Sequence, residues 1–288
     1  MTDRPVRVVD AHVHLWDPAR TDWYPYLSHP QGPQTADTSR MYRPFDADTY
    51  RAESARWNVE KFVNVAAATG VHSVEETLEL DGEAPARGGP DAIIGGIPPT
   101  DTVAEAVELL ERQMAAARFR GVRPMGRYPG PLPDPGVLGA LQERNLVFEL
   151  MTHPDQLRVA AEGLAGFGEL VVVVEHTGWP RSGTAEERAL WRDGIEALAA
   201  LGSNVVCKLS GLAMPMESMS VDALAPWIEY AIEAFGADRC MFASNFPVDA
   251  MYGTFDQLYG VFGDVTAGLD DVTRLKLFAG NAERVYRC

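Results

Sequence analysis

Cysteine is scarce: the chain has three in 288 residues, Cys207, Cys240 and Cys288. They are too few and too scattered for a disulfide framework, and they lack the paired spacing of a zinc knuckle. Cys207 and Cys240 fall in apolar stretches and read as small packing residues. Basic charge is also in short supply, with 25 Lys and Arg against 41 Asp and Glu, a net charge of −16. Nucleic acids and anionic lipid surfaces are held by clustered cations that displace counterions, so both are poor partners. Long apolar runs are missing too. The start, Met-Thr-Asp-Arg-Pro-Val-Arg, leads into only a few apolar residues, far short of a signal core or of the ~20 residues that cross a bilayer. The expectation is a cytoplasmic protein. No internal repeat, low-complexity tract or linker divides the chain.

What is present is enough apolar material, 46% of residues, to build a packed core. It comes in strand-length runs: Val6–Val13, Lys61–Ala67, Ala92–Ile97, Phe119–Arg123, Val147–Met151, Leu170–Glu175, Asn204–Leu209 and Arg239–Ser244. These runs are nearly continuous in apolar residues, as in strands buried on both faces of a parallel sheet. Between them apolar residues recur at helical spacing, as at Val103, Ala106, Val107 and Leu110, and over Pro135–Glu143, Asp155–Ala165, Ala185–Leu201 and Val221–Phe235. Further helices are expected at Phe255–Phe262 and Asp271–Val285. Strands that alternate with helices in this number predict an α/β fold, a (β/α)8 TIM barrel in which residues 1–288 form a single domain. An open dinucleotide-binding sheet is the alternative. It would carry a Gly-rich turn after the first strand, where this chain has His12-Val13-His14-Leu15-Trp16. The long segment Asp17–Phe45, rich in Pro, Trp and Tyr, reads as a lid or binding loop.

Reactive groups of such barrels stand at the C-terminal ends of the strands. By strand alternation Asp10, His12 and His14 share a side, so the two imidazoles can face one point and suit a divalent metal. The fifth and sixth strand ends add His153 and His176, and the seventh adds Lys208, a cation that is expensive to bury unpaired. His29 and His72 read as solvated loop residues. Arg123, Arg127, Arg181 and Lys208 form a set of cations that would draw a carboxylate or other anion to the mouth. Trp16, Trp179, Phe246 and the loop Ala213–Met219 supply an apolar wall. Arg123, Arg127, Trp16, His153, Trp179 and Phe246 are therefore the candidate substrate-binding residues.

Several segments in order resemble the amidohydrolase superfamily, in the branch that holds sugar-lactone and pyrone-dicarboxylate lactonases. They are Asp10-Ala11-His12-Val13-His14-Leu15-Trp16-Asp17-Pro18, Phe119-Arg120-Gly121-Val122-Arg123, Glu175-His176-Thr177-Gly178-Trp179-Pro180, Cys207-Lys208-Leu209-Ser210-Gly211-Leu212, the Arg239–Pro247 strand and Leu277-Phe278-Ala279-Gly280-Asn281. The resemblance implies a hydrolase that opens a small anionic lactone or cyclic ester, with His12, His14, His176, Asn245 and Lys208 as catalytic residues. It implies His12, His14 and His176 as ligands of zinc or manganese. One departure stands out: the eighth strand of the family usually ends in an aspartate, and Asn245 stands there. An amide is a poor metal ligand and cannot act as a base near neutral pH, so the metal is expected to be weakly held or absent. Glu149 and Asp249 are the candidate replacement bases, read otherwise as an ion-pair partner of Lys208 and a helix-capping or loop carboxylate. A decarboxylase or other carbon–carbon lyase on the same scaffold, and a binding protein that has lost the chemistry, are the alternative readings.

Overall fold

The computed structural model describes residues 6–28, 36–126 and 128–288. Eight parallel strands follow one another around a sheet in chain order: β1 (Val8–Val13), β2 (Val59–Val65), β3 (Ala92–Ile97), β4 (Phe119–Pro124), β5 (Val147–Leu150), β6 (Val172–Val174), β7 (Val205–Leu209) and β8 (Cys240–Phe242). The bridge between Val13 and Phe246, with His14 N–H donating to the Phe246 carbonyl at 2.8 Å, brings the last strand back to the first. The result is the (β/α)8 barrel expected from the apolar runs.

Helices fill the connections: α1 (Ala47–Glu53), α2 (His72–Arg87), α3 (Val103–Gln113), α4 (Pro135–Glu143), α5 (Leu157–Leu164), α6 (Ala185–Ala199), α7 (Ala213–Met216), α8 (Val221–Phe235), α9 (Phe255–Val265), α10 (Asp271–Leu275) and α11 (Asn281–Tyr286). Two differ from the sequence reading. His72 is not in a loop but opens α2, and the Met-rich loop after β7 turns into the short helix α7, where Met216 Sδ accepts from Trp227 Nε1. His29 and Arg127 lie outside the described residues.

The alternating sides of the strands divide the apolar residues into two clusters. Val9, Ala11, Val63, Val65, Val147, Val173, Val206 and Met241 point into the barrel, where α11 closes the floor with Ala282, Val285 and Tyr286. Val8, Phe62, Phe148, Val172, Val174, Val205 and Leu209 point outward to the helices. The same period of two sends Arg123, Glu149, Glu175 and Lys208 inward above those apolar residues. Cys207 and Cys240 are buried in the outer layer as expected.

Candidate active site at the barrel mouth

Strand β1 departs from simple alternation. Its register with β2 shifts between Asp10 and Val13, and this irregularity re-aims side chains. Ala11 packs into the barrel while Asp10 turns outward, taking hydrogen bonds from Tyr50 Oη at 2.8 Å and from the Ser244 N–H at 2.8 Å. The expectation that Asp10 shares a side with the histidines is therefore corrected. Asp10 ties β1 to the end of β8, and only His12 and His14 face the mouth, with their Nε2 atoms 3.1 Å apart.

His176 meets them, its ring 4.7 Å from that of His12. It is brought there by an unusual backbone: His176, Thr177, Gly178 and Trp179 have φ of 51, 56, 73 and 44°. Left-handed geometry costs about 1–2 kcal/mol per non-glycine residue. It persists here because Trp191 Nε1 donates to the Thr177 carbonyl at 2.6 Å and Thr177 Oγ1 donates to the Lys208 carbonyl at 3.2 Å. Gly211 completes the fit: with φ at 64°, a Cβ there would lie 2.4 Å from His176 Nδ1.

Below the imidazoles, Lys208 Nζ reaches Glu149 at 2.6 Å and His12 Nδ1 at 3.3 Å, and Tyr286 Oη donates to Glu149 at 2.7 Å. Glu149 is thus the ion-pair partner of Lys208, with both oxygens engaged. Lys208 is fully buried inside the barrel. Glu175 lies between Arg123, 3.4 Å away, and His176, 3.8 Å away. Its Oε1 is buried with no protein partner.

The cation ring expected from the sequence is largely neutralised. Arg123 faces Glu175, Lys208 faces Glu149, and Arg181 is an exposed partner of Asp155 at 2.9 Å. Other expected site residues scatter. Trp16 stacks on His14 at 5.6 Å, Trp179 packs on His176 at 5.5 Å, and half-buried His153 packs on Trp179 at 4.9 Å. Phe246 instead turns into the helix layer against Phe255, at 5.5 Å, so it is not part of the wall. Asp249 is no surface cap: it is fully buried, accepts from Asn245 Nδ2 at 3.0 Å, and burial pushes its carboxyl up to about 7. Glu76 went unnoticed in the sequence. It is buried on α2, takes the Ala67 and Ala68 N–H groups at 3.0 and 2.9 Å and Tyr24 Oη at 3.1 Å, and so ties the loop after β1 to the end of β2. Nothing in its local pattern distinguishes it from the other acidic residues of α2.

Burial keeps the three imidazoles neutral. It lowers His12 well below its ordinary value, helped by Lys208; it brings His14 down to about 3, helped by Arg123, and His176 to about 4 against the pull of Glu175. Neutral imidazole is the metal-binding form. His14 Nδ1 faces the Val65 carbonyl at 2.7 Å; a carbonyl only accepts, so the proton is on Nδ1 and the Nε2 lone pair points at the mouth. Two imidazole nitrogens on one tetrahedral zinc would stand about 3.3 Å apart, close to the observed His12–His14 separation. His12, Glu175 and His176 also offer ligand atoms within 4.8 Å of one another. The donor set fits a divalent ion, and the unpartnered Glu175 oxygen is the kind of orphan that such an ion would satisfy.

The amidohydrolase family model matches residues 9–288. The chain belongs to this family. It is 29% identical to L-fucono-1,5-lactonase of Burkholderia ambifaria, over 97% of this chain and 95% of that protein. Its fold is that of an amidohydrolase from Burkholderia multivorans solved with bound zinc (22% identity, TM-score 0.80, covering 98% of this chain and 99% of that one). It also resembles 2,6-dihydroxybenzoate decarboxylase from Rhizobium in fold (15% identity, TM-score 0.63, covering 99% of each chain). Among the described residues no helix is long and apolar enough to cross a membrane.

Proposed function

We propose that this amidohydrolase opens a small lactone by adding water to its ring ester, and that the cluster of His12, Glu175 and His176, with His14 beside His12, is the centre of that chemistry. The full-length likeness to an L-fucono-1,5-lactonase supports the reading. The charges refine it. With neutral imidazoles, Arg123 and Lys208 are balanced by Glu175 and Glu149, so the side chains themselves leave little surplus charge, and the ion that the histidines would hold sets the charge of the mouth toward a small lactone.

His12, His14 and His176, with Glu175 beside them, would hold a divalent ion such as zinc or manganese. Bound there, it would polarise the ester carbonyl and make a water acidic near neutral pH. The protein does the rest. Glu175 Oε1 accepts a hydrogen bond from the attacking water and orients it. Arg123, whose Nε is buried with no protein partner, donates to the oxyanion that develops on the carbonyl. Lys208, sealed beneath, does not touch substrate but pairs with Glu149 under the imidazoles. Trp16 stacks on His14 and Trp179 packs edge-on against His176, and both shield the mouth from bulk water.

The test is a panel of neutral and carboxylated five- and six-membered lactones, followed by acid release. Enzyme would be stripped by chelator and then reloaded with zinc or manganese. Ring opening that disappears on stripping and returns on reloading is the expected result. A folded, metal-loaded protein that opens none of them, or that releases carbon dioxide from a hydroxybenzoate instead, would overturn the hydrolase assignment.

A further inference from the structure

At the end of β8 the chain makes a tight turn that joins two buried polar side chains. Asn245 takes φ of 55°, its N–H donates to the His12 carbonyl at 2.9 Å, and the Asp249 N–H returns to the Asn245 carbonyl at 3.1 Å. Asparagine tolerates this left-handed geometry better than most residues. The side chains close a second link, Asn245 Nδ2 to Asp249 Oδ1 at 3.0 Å. In that link the amide NH2 is the donor and the Asp249 oxygen accepts. What remains is Asn245 Oδ1, a buried acceptor without a hydrogen-bond partner, whereas the Asp249 carboxyl is also met by the Ala213 N–H. Leaving a buried acceptor unmatched costs about 1–3 kcal/mol. Its place on this turn, whose backbone bonds to His12, marks a point where a donor is supplied by something other than the protein.

We propose that Asp249 is a positioning residue of the lactone site: by holding the Asn245 NH2, it leaves the Asn245 carbonyl oxygen as the acceptor for a hydroxyl group of the bound lactone. This rests on the hydrolase reading above and adds to it the residue pair that selects a hydroxylated substrate over a bare one. It also accounts for Asn245 itself. With Asp249 behind it, the amide is a one-way acceptor whose direction is set, which suits recognition of a sugar-like hydroxyl.

The test compares a polyhydroxylated 1,5-lactone with δ-valerolactone, the unsubstituted ring, in wild type and in Asp249→Asn. In the variant the new amide can donate to Asn245 Oδ1 and capture the acceptor. Its kcat/KM for the hydroxylated lactone should fall by about 10- to 100-fold, the range for loss of an orienting partner, while that for δ-valerolactone changes less than about threefold. Equal losses on both substrates would make Asp249 merely structural, and no loss on either would also overturn the proposal. The double substitution Asn245→Asp with Asp249→Asn keeps the bond with its polarity exchanged and still presents an acceptor. It should retain the preference for the hydroxylated ring, and it serves if the single variant does not fold. A separate readout needs no turnover: in side-chain amide NMR, the Asn245 NH2 signal, assigned by its loss in Asn245→Asp, should be protected from exchange in wild type and unprotected in Asp249→Asn. An unprotected wild-type signal would sink the proposal. If the wild type opens no lactone while this signal behaves as expected, the hydrolase reading fails and the orienting contact stands.

Discussion

The floor and the mouth of the barrel are both polar and both buried, yet they differ in how their hydrogen bonds are met. On the floor side, Glu149 has Lys208 and Tyr286 on its two oxygens. At the mouth, Glu175 Oε1, Arg123 Nε, Asn245 Oδ1 and Trp16 Nε1 are buried and without a hydrogen-bond partner. A saturated network holds a structure together, and an unsaturated one waits for something to bind. The contrast predicts that substitutions at the floor show in stability and substitutions at the mouth show in chemistry.

The largest effect should come from breaking the floor pair. Lys208→Met leaves Glu149 without its counter-charge in the barrel and should cost about 3–5 kcal/mol in urea unfolding. Adding Glu149→Gln should recover part of that loss, since no unpaired charge then remains. A single variant as stable as wild type would place the pair in contact with water and undo the contrast.

His176→Asn tests the mouth. Asparagine accepts the left-handed backbone, so stability should stay within about 1 kcal/mol while lactone opening drops by about 100-fold or more, the usual weight of a catalytic imidazole. Metal content by elemental analysis should fall with it. An active variant would remove His176 from the chemistry.

Gly211→Ala joins the two regions. The added Cβ meets the His176 ring and takes an unfavourable φ, so a loss of about 2 kcal/mol is expected, with activity reduced because the imidazole is displaced. Thermal midpoint and kcat measured on the same preparation decide it.

The smallest effect belongs to the outer floor. Glu283 receives Arg7 at 2.6 Å and Lys61 at 2.9 Å, and the Arg7 hydrogen bond leads in holding its carboxyl at about 2. A carboxyl whose folded pKa is depressed stabilises the fold above its unfolded value, near 4.3, and loses that contribution as pH falls through about 2. Because the pair is partly in solvent, Glu283→Gln should cost no more than about 1 kcal/mol at pH 7. The difference from wild type should close between pH 4 and 2. A penalty that persists at pH 2 would mean the side chain acts through packing alone.

Much of this was legible in the chain. The strands were, because residues buried on both faces must be apolar in succession, and alternation from Val147 to Glu149 and from Val206 to Lys208 accounts for the inward turn of these charged residues. His12 and His14 were readable as a pair for the same reason. Alternation failed at Asp10, where the irregular register of β1 turned the carboxylate to Tyr50. It said nothing of α2, which carries Gly82 and Pro85 and many charges where a clean apolar stripe would announce a helix. Phe246 looked like a wall residue because a strand end was expected to face the mouth, but the closing bridge to Val13 sends its ring to Phe255.

The sequence by itself determined the barrel and the histidines at its rim, since these follow from local periods of two and of 3.6 that each segment carries alone. Only the tertiary structure decided which charges cancel and which polar atoms are left over. The Lys208–Glu149 pair could be offered from the strand ends as one reading of Glu149, whereas Arg123 meets Glu175 across 52 residues, and no local pattern encodes a partner at that separation. Pairing is set by which strands become neighbours and by where closure of the barrel leaves each side chain. That is also why the cations at the strand ends prove to be balanced by carboxylates, and why the free acceptor of Asn245 is recognised only in the folded protein.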